Sequence, residues 1–187
     1  AAFATDGGAG PDSGLSLLLR RIMEIPGDYW LRLLYIHPDH FPEDLFGVIR
    51  DNPRILPYLD IPFQHASKPV LQRMGRAGGG GAYLRLIERI RNEIPGAVIR
   101  STFLVGFPGE TERDFEELLQ FQREAQIDWL GVFSYSREED TPAYRMQSGL
   151  GYRFSKRRAE KRKAVIEAEQ QRITASRLKE HVGTLQR

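Results

Sequence analysis

Short apolar runs and amphipathic helical stretches alternate along this chain, and that alternation restricts its fold more than any single motif. Leu15, Leu18, Leu19, Ile22 and Ile25 recur at helical spacing, and Pro26-Gly27-Asp28 stops the helix they predict. Tyr29 to Ile36 is apolar but too short for a typical helix, so it reads as a buried strand. Pro42 to Arg50 reads as a helix with Leu45, Val48 and Ile49 inward. Tyr58 to Phe63 reads as a strand ended by Pro62. Ser67 looks like the N-cap of a helix over Lys68 to Met74, and Gly78 to Gly81 is a four-glycine break. Tyr83 to Ile94 is helical by spacing, with Leu84, Ile87 and Ile90 inward. Ala97 to Val105, a helix over Glu112 to Ala125, and Ile127 to Tyr135 repeat the strand–helix–strand order. Ser155 to about Val182 reads as one long charged helix.

Strands that alternate with helices pair in parallel through crossovers, so the fold class is α/β. Four strands cannot close a barrel of the usual kind, which leaves a small open sheet or a piece of a larger one. The 187 residues suffice for one domain with a real core. No apolar run nears the roughly 18 residues that span a bilayer. Residues 1–14 read as loop and carry no basic-then-apolar signal pattern, so the cytoplasm is the default compartment. Cysteine is absent, which excludes disulfides, thiolate zinc sites, cysteine nucleophiles and cysteine-ligated clusters within this chain.

In a parallel α/β fold, chemistry belongs just beyond the carboxyl ends of the strands. Four such ends can be read: His37-Pro38-Asp39-His40, Gln64-His65-Ala66-Ser67, Gly106 to Thr111, and Ser134 to Thr141. All four are rich in hydrogen-bonding side chains, which suggests a ligand site at one rim. Each also has a plainer reading. His37 and His40 lack an acidic or thiol partner for a metal, so loop capping before the Pro42 helix is favoured. Gln64 and His65 contact a ligand or tie down a turn. Glu110 contacts a ligand or reaches back to helix N–H groups. Gly106 and Gly109 supply turn geometry. Arg100 lies inside a strand, where a guanidinium needs a carboxylate from the protein or from a ligand. Arg153, Lys156, Arg157, Arg158, Lys161, Arg162 and Lys163 crowd eleven residues. They read as a solvated helix face, with RNA or ribosome contact through 153–163 as the lesser alternative.

Four separated motifs carry a resemblance: P-Y-L-D-I-P-F-Q-H-A-S at 57–67, V-L-Q-R-M-G-R at 70–76, I-R-S-T-F-L-V-G-F-P-G-E-T at 99–111 and F-S-Y-S-R-E-E-D-T-P-A at 133–143. With W-L-R-L-L-Y-I-H-P at 30–38, they resemble the radical S-adenosylmethionine methylthiotransferases, in the wording of the RimO branch rather than the tRNA-modifying MiaB branch. The resemblance implies a section of a partial (open) TIM-like barrel with parallel strands. It implies S-adenosylmethionine and [4Fe–4S] clusters as cofactors of the parent enzyme, and an aspartate of a small-subunit ribosomal protein as substrate. Gly106 and Glu110 then match the glycine-rich strand end near the cofactor. Gln64, Arg100, Thr102 and Ser134 fall on the same rim as candidates to hold its ribose, amino-acid or adenine parts.

The departures are as informative. The family's C-x-x-x-C-x-x-C loop is missing, and no catalytic or metal-ligating residue can be named here. Asp140 stands where the family commonly has glycine. Residues 1–150 are expected to be the later part of a radical core. Residues 151–187 are expected to be a linker helix toward a carboxyl-terminal TRAM domain outside this chain. The alternatives are a MiaB-like tRNA methylthiotransferase and a non-catalytic α/β module that binds ribosome or RNA.

Overall fold

The computed structural model describes residues 13–146, 149–179 and 182–183, with backbone alone over 149–155. The loop expected over residues 1–14 lies outside these except for Ser13 and Gly14. Ser13 caps the first helix, α1 (Gly14–Glu24), by accepting the Ser16 N–H. The elements continue as β1 (Leu31–Leu33), a 3₁₀ turn (Pro38–His40), α2 (Leu45–Arg50), β2 (Ile55–Asp60), α3 (Lys68–Arg73) and α4 (Gly80–Glu93). Then follow β3 (Val98–Val105), α5 (Glu112–Ala125), β4 (Trp129–Ser134), a second 3₁₀ turn (Pro142–Met146) and α6 (Gly149–Lys179). The four strands form one parallel sheet in the order β1-β2-β3-β4, open at β1 and β4. A sheet whose strands follow one another in chain order, each step crossing through helix, is part of a barrel wall that has not closed.

One face of the sheet carries the helices. Along β3, Ile99, Ser101, Phe103 and Val105 are buried, while Val98, Arg100, Thr102 and Leu104 are half-exposed. The register puts Asp60 beside Arg100 and Gly131 beside Thr102, so these residues share the uncovered face. Beneath the covered face, Phe63, Tyr83, Phe103 and Phe121 pack ring against ring, with centroids 4.8 to 6.3 Å apart.

Several expectations shift. The first strand shrinks from eight residues to three, and it is not buried: Trp30, Leu34 and Tyr35 are each about two-thirds exposed. Among the described residues it has a neighbour on one side only, and Tyr35 at φ 66° turns the chain out of the sheet. The second strand runs Ile55–Asp60 rather than Tyr58–Phe63, and so contains Pro57. Proline has no N–H for the ladder, and the β1–β2 register slips there: Leu31 pairs Ile55, but Leu33 pairs Leu59. The glycine run is half helix, since α4 starts at Gly80, whose N–H donates to the Ala66 carbonyl at 2.8 Å. Gly78 itself has no room for a side chain, because a Cβ would stand 2.1 Å from the Tyr83 hydroxyl.

The long helix α6 joins the same core as the sheet. Ala159, Arg162, Ile166, Gln170 and Ile173 are buried along one stripe of it. Gln170 donates to the Ile127 carbonyl at 2.7 Å and Gln122 donates to the Ile166 carbonyl at 3.0 Å. Of the cluster expected to be solvated, Arg162 is therefore interior at 3% exposure, while Lys156, Arg157, Arg158 and Lys161 are exposed. The side chains of Tyr152, Arg153 and Phe154 lie outside the description.

Candidate functional site

Strand β3 ends at Val105, and Gly106 takes φ 77°, a left-handed turn that a side chain rarely adopts. The turn aims the Gly106 N–H at the Glu110 carboxylate, which accepts it. Thr111 and Asp114 then start α5 reciprocally: the Asp114 N–H donates to Thr111 Oγ1 at 3.2 Å and the Thr111 N–H to Asp114 Oδ2 at 2.8 Å. Glu110 is thus not the residue that caps the helix. It is 5% exposed and braces the loop from within.

Asp114 is shared across elements, because Ser67 also donates to its other oxygen at 2.5 Å. Ser67 opens α3 without capping it by side chain. His65 does part of that work, its Nδ1 accepting the Ser67 N–H at 3.0 Å. Burial opposes the charge on Asp114, but hydrogen bonds from Ser67 and Thr111, with Arg73 nearby, outweigh it and hold its carboxyl below the ordinary 3.8. A depressed carboxylate stabilises the fold above its unfolded value and loses that contribution as pH falls through the folded one. Asp114→Asn is expected to cost about 1–3 kcal/mol at neutral pH. The gap from wild type should narrow only below pH 3.8. Urea melts at neutral and acid pH check this, and a gap that stays constant into strong acid contradicts it.

Gln64 has φ 68° and is held on both sides of its peptide by β3: its N–H donates to the Thr102 carbonyl and its carbonyl accepts the Leu104 N–H, both at 2.8 Å. Its side chain lines a rim cleft of about 490 Å³ with Arg73, Met74, Arg76, Leu104 and Phe107. Both arginines are fastened to backbone: Arg73 donates to the Pro108 and Gly109 carbonyls at 3.1 Å, and Arg76 to the Pro62 carbonyl at 3.1 Å. Ser134, the last residue of β4, pairs in register with Val105. Its hydroxyl is buried and, among the described residues, has no hydrogen-bond partner.

Gln64, Gly106, Glu110 and Ser134 therefore meet at the carboxyl rim. Arg100 does not. It is the third residue of β3, five residues or roughly 16 Å from the strand's end. Its carboxylate comes from the protein, since Nη1 lies 2.6 Å from Asp60 Oδ2. Thr102 sits between these two levels on the uncovered face. At the first strand end, His37 closes its own turn, its Nδ1 accepting the Asp39 N–H at 3.3 Å. Asp39 in turn accepts from the Ala77 N–H at 3.0 Å and the Tyr83 hydroxyl at 3.1 Å. Asp140 adopts φ 63°, the conformation a glycine would take at that position.

One residue at the rim escaped the sequence reading. Arg162, from α6, sets Nη1 3.0 Å from Glu110 Oε1 and donates through Nη2 to Glu112 at 2.8 Å and to the Thr111 carbonyl at 3.0 Å. Its place in the stripe Ala159, Arg162, Ile166 was the available signal, since a cation at an inward helical position must find a buried partner.

An unclosed parallel barrel wall with polar groups gathered at its carboxyl rim defines a class of small-molecule-handling α/β proteins. The chain belongs to the radical SAM superfamily, whose family profile matches residues 5–121. It is 44% identical over 178 residues to a protein of Treponema denticola named ribosomal protein uS12 methylthiotransferase RimO, a match covering 91% of this chain and 37% of the relative. A protein of the same name from Moorella thermoacetica is 53% identical over 126 residues, covering 67% of this chain and 29% of the relative. The chain thus spans little more than a third of the length of the first of these relatives. Two solved structures share the fold. Coproporphyrinogen III oxidase (HemN) from Escherichia coli superposes at TM-score 0.57 and 19% identity, over 73% of this chain and 32% of the other. The radical S-adenosylmethionine methyltransferase TsrM from Kitasatospora setae does so at 0.53 and 20%, over 66% and 25%.

Proposed function

We propose that this chain carries the strand-end wall of a RimO-type methylthiotransferase, which places a methylthio group on an aspartate of a small-subunit ribosomal protein. The observation that carries this reading is the 44% identity to a relative of that name over 91% of the chain. It spans all four sequence motifs.

S-adenosylmethionine is the cofactor this wall would face. Gln64 presents an amide to the rim cleft, and Ser134 is the candidate at the end of β4, although its pairing with Val105 puts it on the helix-covered side of the sheet. Gly106 supplies close backbone approach, and Glu110 keeps that turn in shape. Thr102 is the candidate contact deeper on the uncovered face. Arg100, already paired with Asp60, serves as a charge below the rim rather than as a direct clamp. The [4Fe–4S] cluster does not fit this chain, because with no cysteine there is no thiolate to hold it. Among the described residues no helix is long and apolar enough to cross a membrane. The proposed site of action is the cytoplasm, where the ribosomal protein is found. Lys156, Arg157, Arg158 and Lys161 are the exposed cations through which the 153–163 segment would meet a ribosome.

The test is a chimera in which this chain replaces the matching segment of the Treponema denticola relative. The expected product is methylthiolated ribosomal protein uS12. Modification of tRNA instead, or cofactor cleavage without any modified ribosomal protein, overturns the reading. The chain by itself, after incubation with iron and sulfide, is expected to show neither cluster absorbance nor S-adenosylmethionine cleavage.

A further inference from the structure

Two guanidiniums hold the rim loop: Arg73 of α3 donates to the Pro108 and Gly109 carbonyls, and Arg162 of α6 meets the Glu110 carboxylate. Glu110 Oε2 accepts the Gly106 N–H, and Oε1 stands 3.0 Å from Arg162 Nη1 and 3.7 Å from His65 Nε2. The side chains of His65, Glu110 and Arg162 are all at most 4% exposed. His65 spends its Nδ1 on the Ser67 N–H, so its Nε2 is the edge turned toward Glu110. The Arg162 guanidinium also lies 5.0 Å from the centre of the Phe115 ring. Together these contacts put one cation of α6 against four points of the segment 106–115. At the other end of the same helix, Arg177 Nε donates to Asp128 Oδ1 at 2.9 Å, and Thr174 donates to the Asp128 carbonyl at 2.9 Å. The helix is thereby latched to the sheet at both the carboxyl and the amino ends of the strands.

A buried ion pair is costly to break from either side, because the remaining charge has no solvent to take its place. Within the loop, the Gly106 N–H has the Glu110 carboxylate as its partner. Without Arg162, Glu110 becomes a buried carboxylate with one backbone donor and the His65 Nε2 edge 3.7 Å away, and the lowest-energy response is for it to swing toward solvent. That movement frees the Gly106 turn.

We propose that Arg162 is the positioning residue of the Gly106 turn, holding the Glu110 carboxylate against the Gly106 amide while α6 is seated, beside the separate hold of Arg73 on the Pro108 and Gly109 carbonyls. What the loop faces rests on the function proposed above; the latch itself does not.

Amide hydrogen exchange on the full chain tests it, comparing wild type with Arg162→Met, Arg162→Lys, Glu110→Gln and the double variant Glu110→Gln/Arg162→Met. Arg162→Met is expected to raise exchange at the hydrogen-bonded Gly106 and Glu110 amides by about tenfold or more, with Phe103 and Val132 unchanged. Arg162→Lys, which keeps the charge, is expected to restore most of the protection. Glu110→Gln should loosen the same amides, and adding Arg162→Met to it should loosen them little further, since both act on one contact. Loop exchange equal to wild type, a rise shared equally by β3 and β4, or additive losses in the double variant overturns the proposal. If Arg162→Met does not fold, the Arg162→Lys and Glu110→Gln comparison decides by the same amides. S-adenosylhomocysteine added as a probe separates the two readings. Its failure to protect the wild-type loop strikes the proposed cofactor site, while the latch stands or falls on the exchange of the variants.

Discussion

Phe121→Ala is expected to be among the most destabilising single truncations in this chain, costing about 3–5 kcal/mol. Phe121 is 3% exposed and stands at the meeting point of three other rings, 5.6 Å from Phe63, 5.9 Å from Phe103 and 6.3 Å from Tyr83. These rings come from three places: the segment after β2, the centre of β3, and α4. Truncation opens a cavity that none of them can fill, because Tyr83 is fixed by its bond to Asp39 and Phe103 by the strand ladder. For a chain of this size the loss lowers Tm by roughly 10 °C. Urea unfolding at unchanged m-value measures it, and a loss under about 1 kcal/mol would show that the cluster is not a shared support. Phe121→Leu retains most of the apolar area and is expected to cost less.

The second large effect is at the opposite end of the sheet. Asp128 is 6% exposed and binds two elements at once: Oδ2 accepts the Ile99 N–H and Oδ1 accepts Arg177 Nε, both at 2.9 Å. Asp128→Ala leaves a buried N–H at the start of β3 without its acceptor and removes the carboxylate to which Arg177 Nε donates, for an expected loss of about 3 kcal/mol. Asp128→Asn can still accept from Ile99 and gives up only the charge, for about 1 kcal/mol. The order is the test. Equal losses for the two variants would mean that the Ile99 bond contributes nothing, and an asparagine worse than alanine would contradict the account altogether.

These two positions show how differently the sequence bears on the fold. Helical spacing puts Phe115, Leu118, Leu119 and Gln122 on one side of α5, and in the fold Phe115, Leu118 and Gln122 are buried there, with Phe121 buried beside them although the spacing did not single it out. The ends of α5 were legible: Thr111 and Asp114 cap it through contacts three residues apart, and the observed bounds Glu112–Ala125 match those read from the chain. Strand β3 was legible for the same reason, since period-two burial runs its whole length. Where a proline or glycine interrupted the pattern, boundaries moved. Pro57 is tolerated inside β2 through a register slip, and Gly80 begins α4 because the Ala66 carbonyl takes its N–H.

The site divides along the same line. Gly106 and Gln64 could be placed at strand ends from local pattern, and the structure puts them at one rim. Arg100 could not be placed that way. Its strand was right, but whether it faced a ligand or Asp60 depended on the register between β2 and β3. Arg162 was read with its basic neighbours as solvated, because charge density along a chain says nothing about which residue a helix turns inward.

What the sequence determined by itself was the set of elements, their parallel order, the turn after β3, and, through the absence of cysteine, the chemistry this chain cannot supply alone. Those follow from hydrogen bonds and periodicities that act within a few residues. The tertiary structure decided which charges meet: Glu110 with Arg162 and Asp128 with Arg177 in or near the interior, and Asp60 with Arg100 on the half-exposed face. Each of these pairs joins residues about 40 to 50 positions apart. A charge leaving water requires a partner in space, and only the packing of α6 and the strand register says which partner that is.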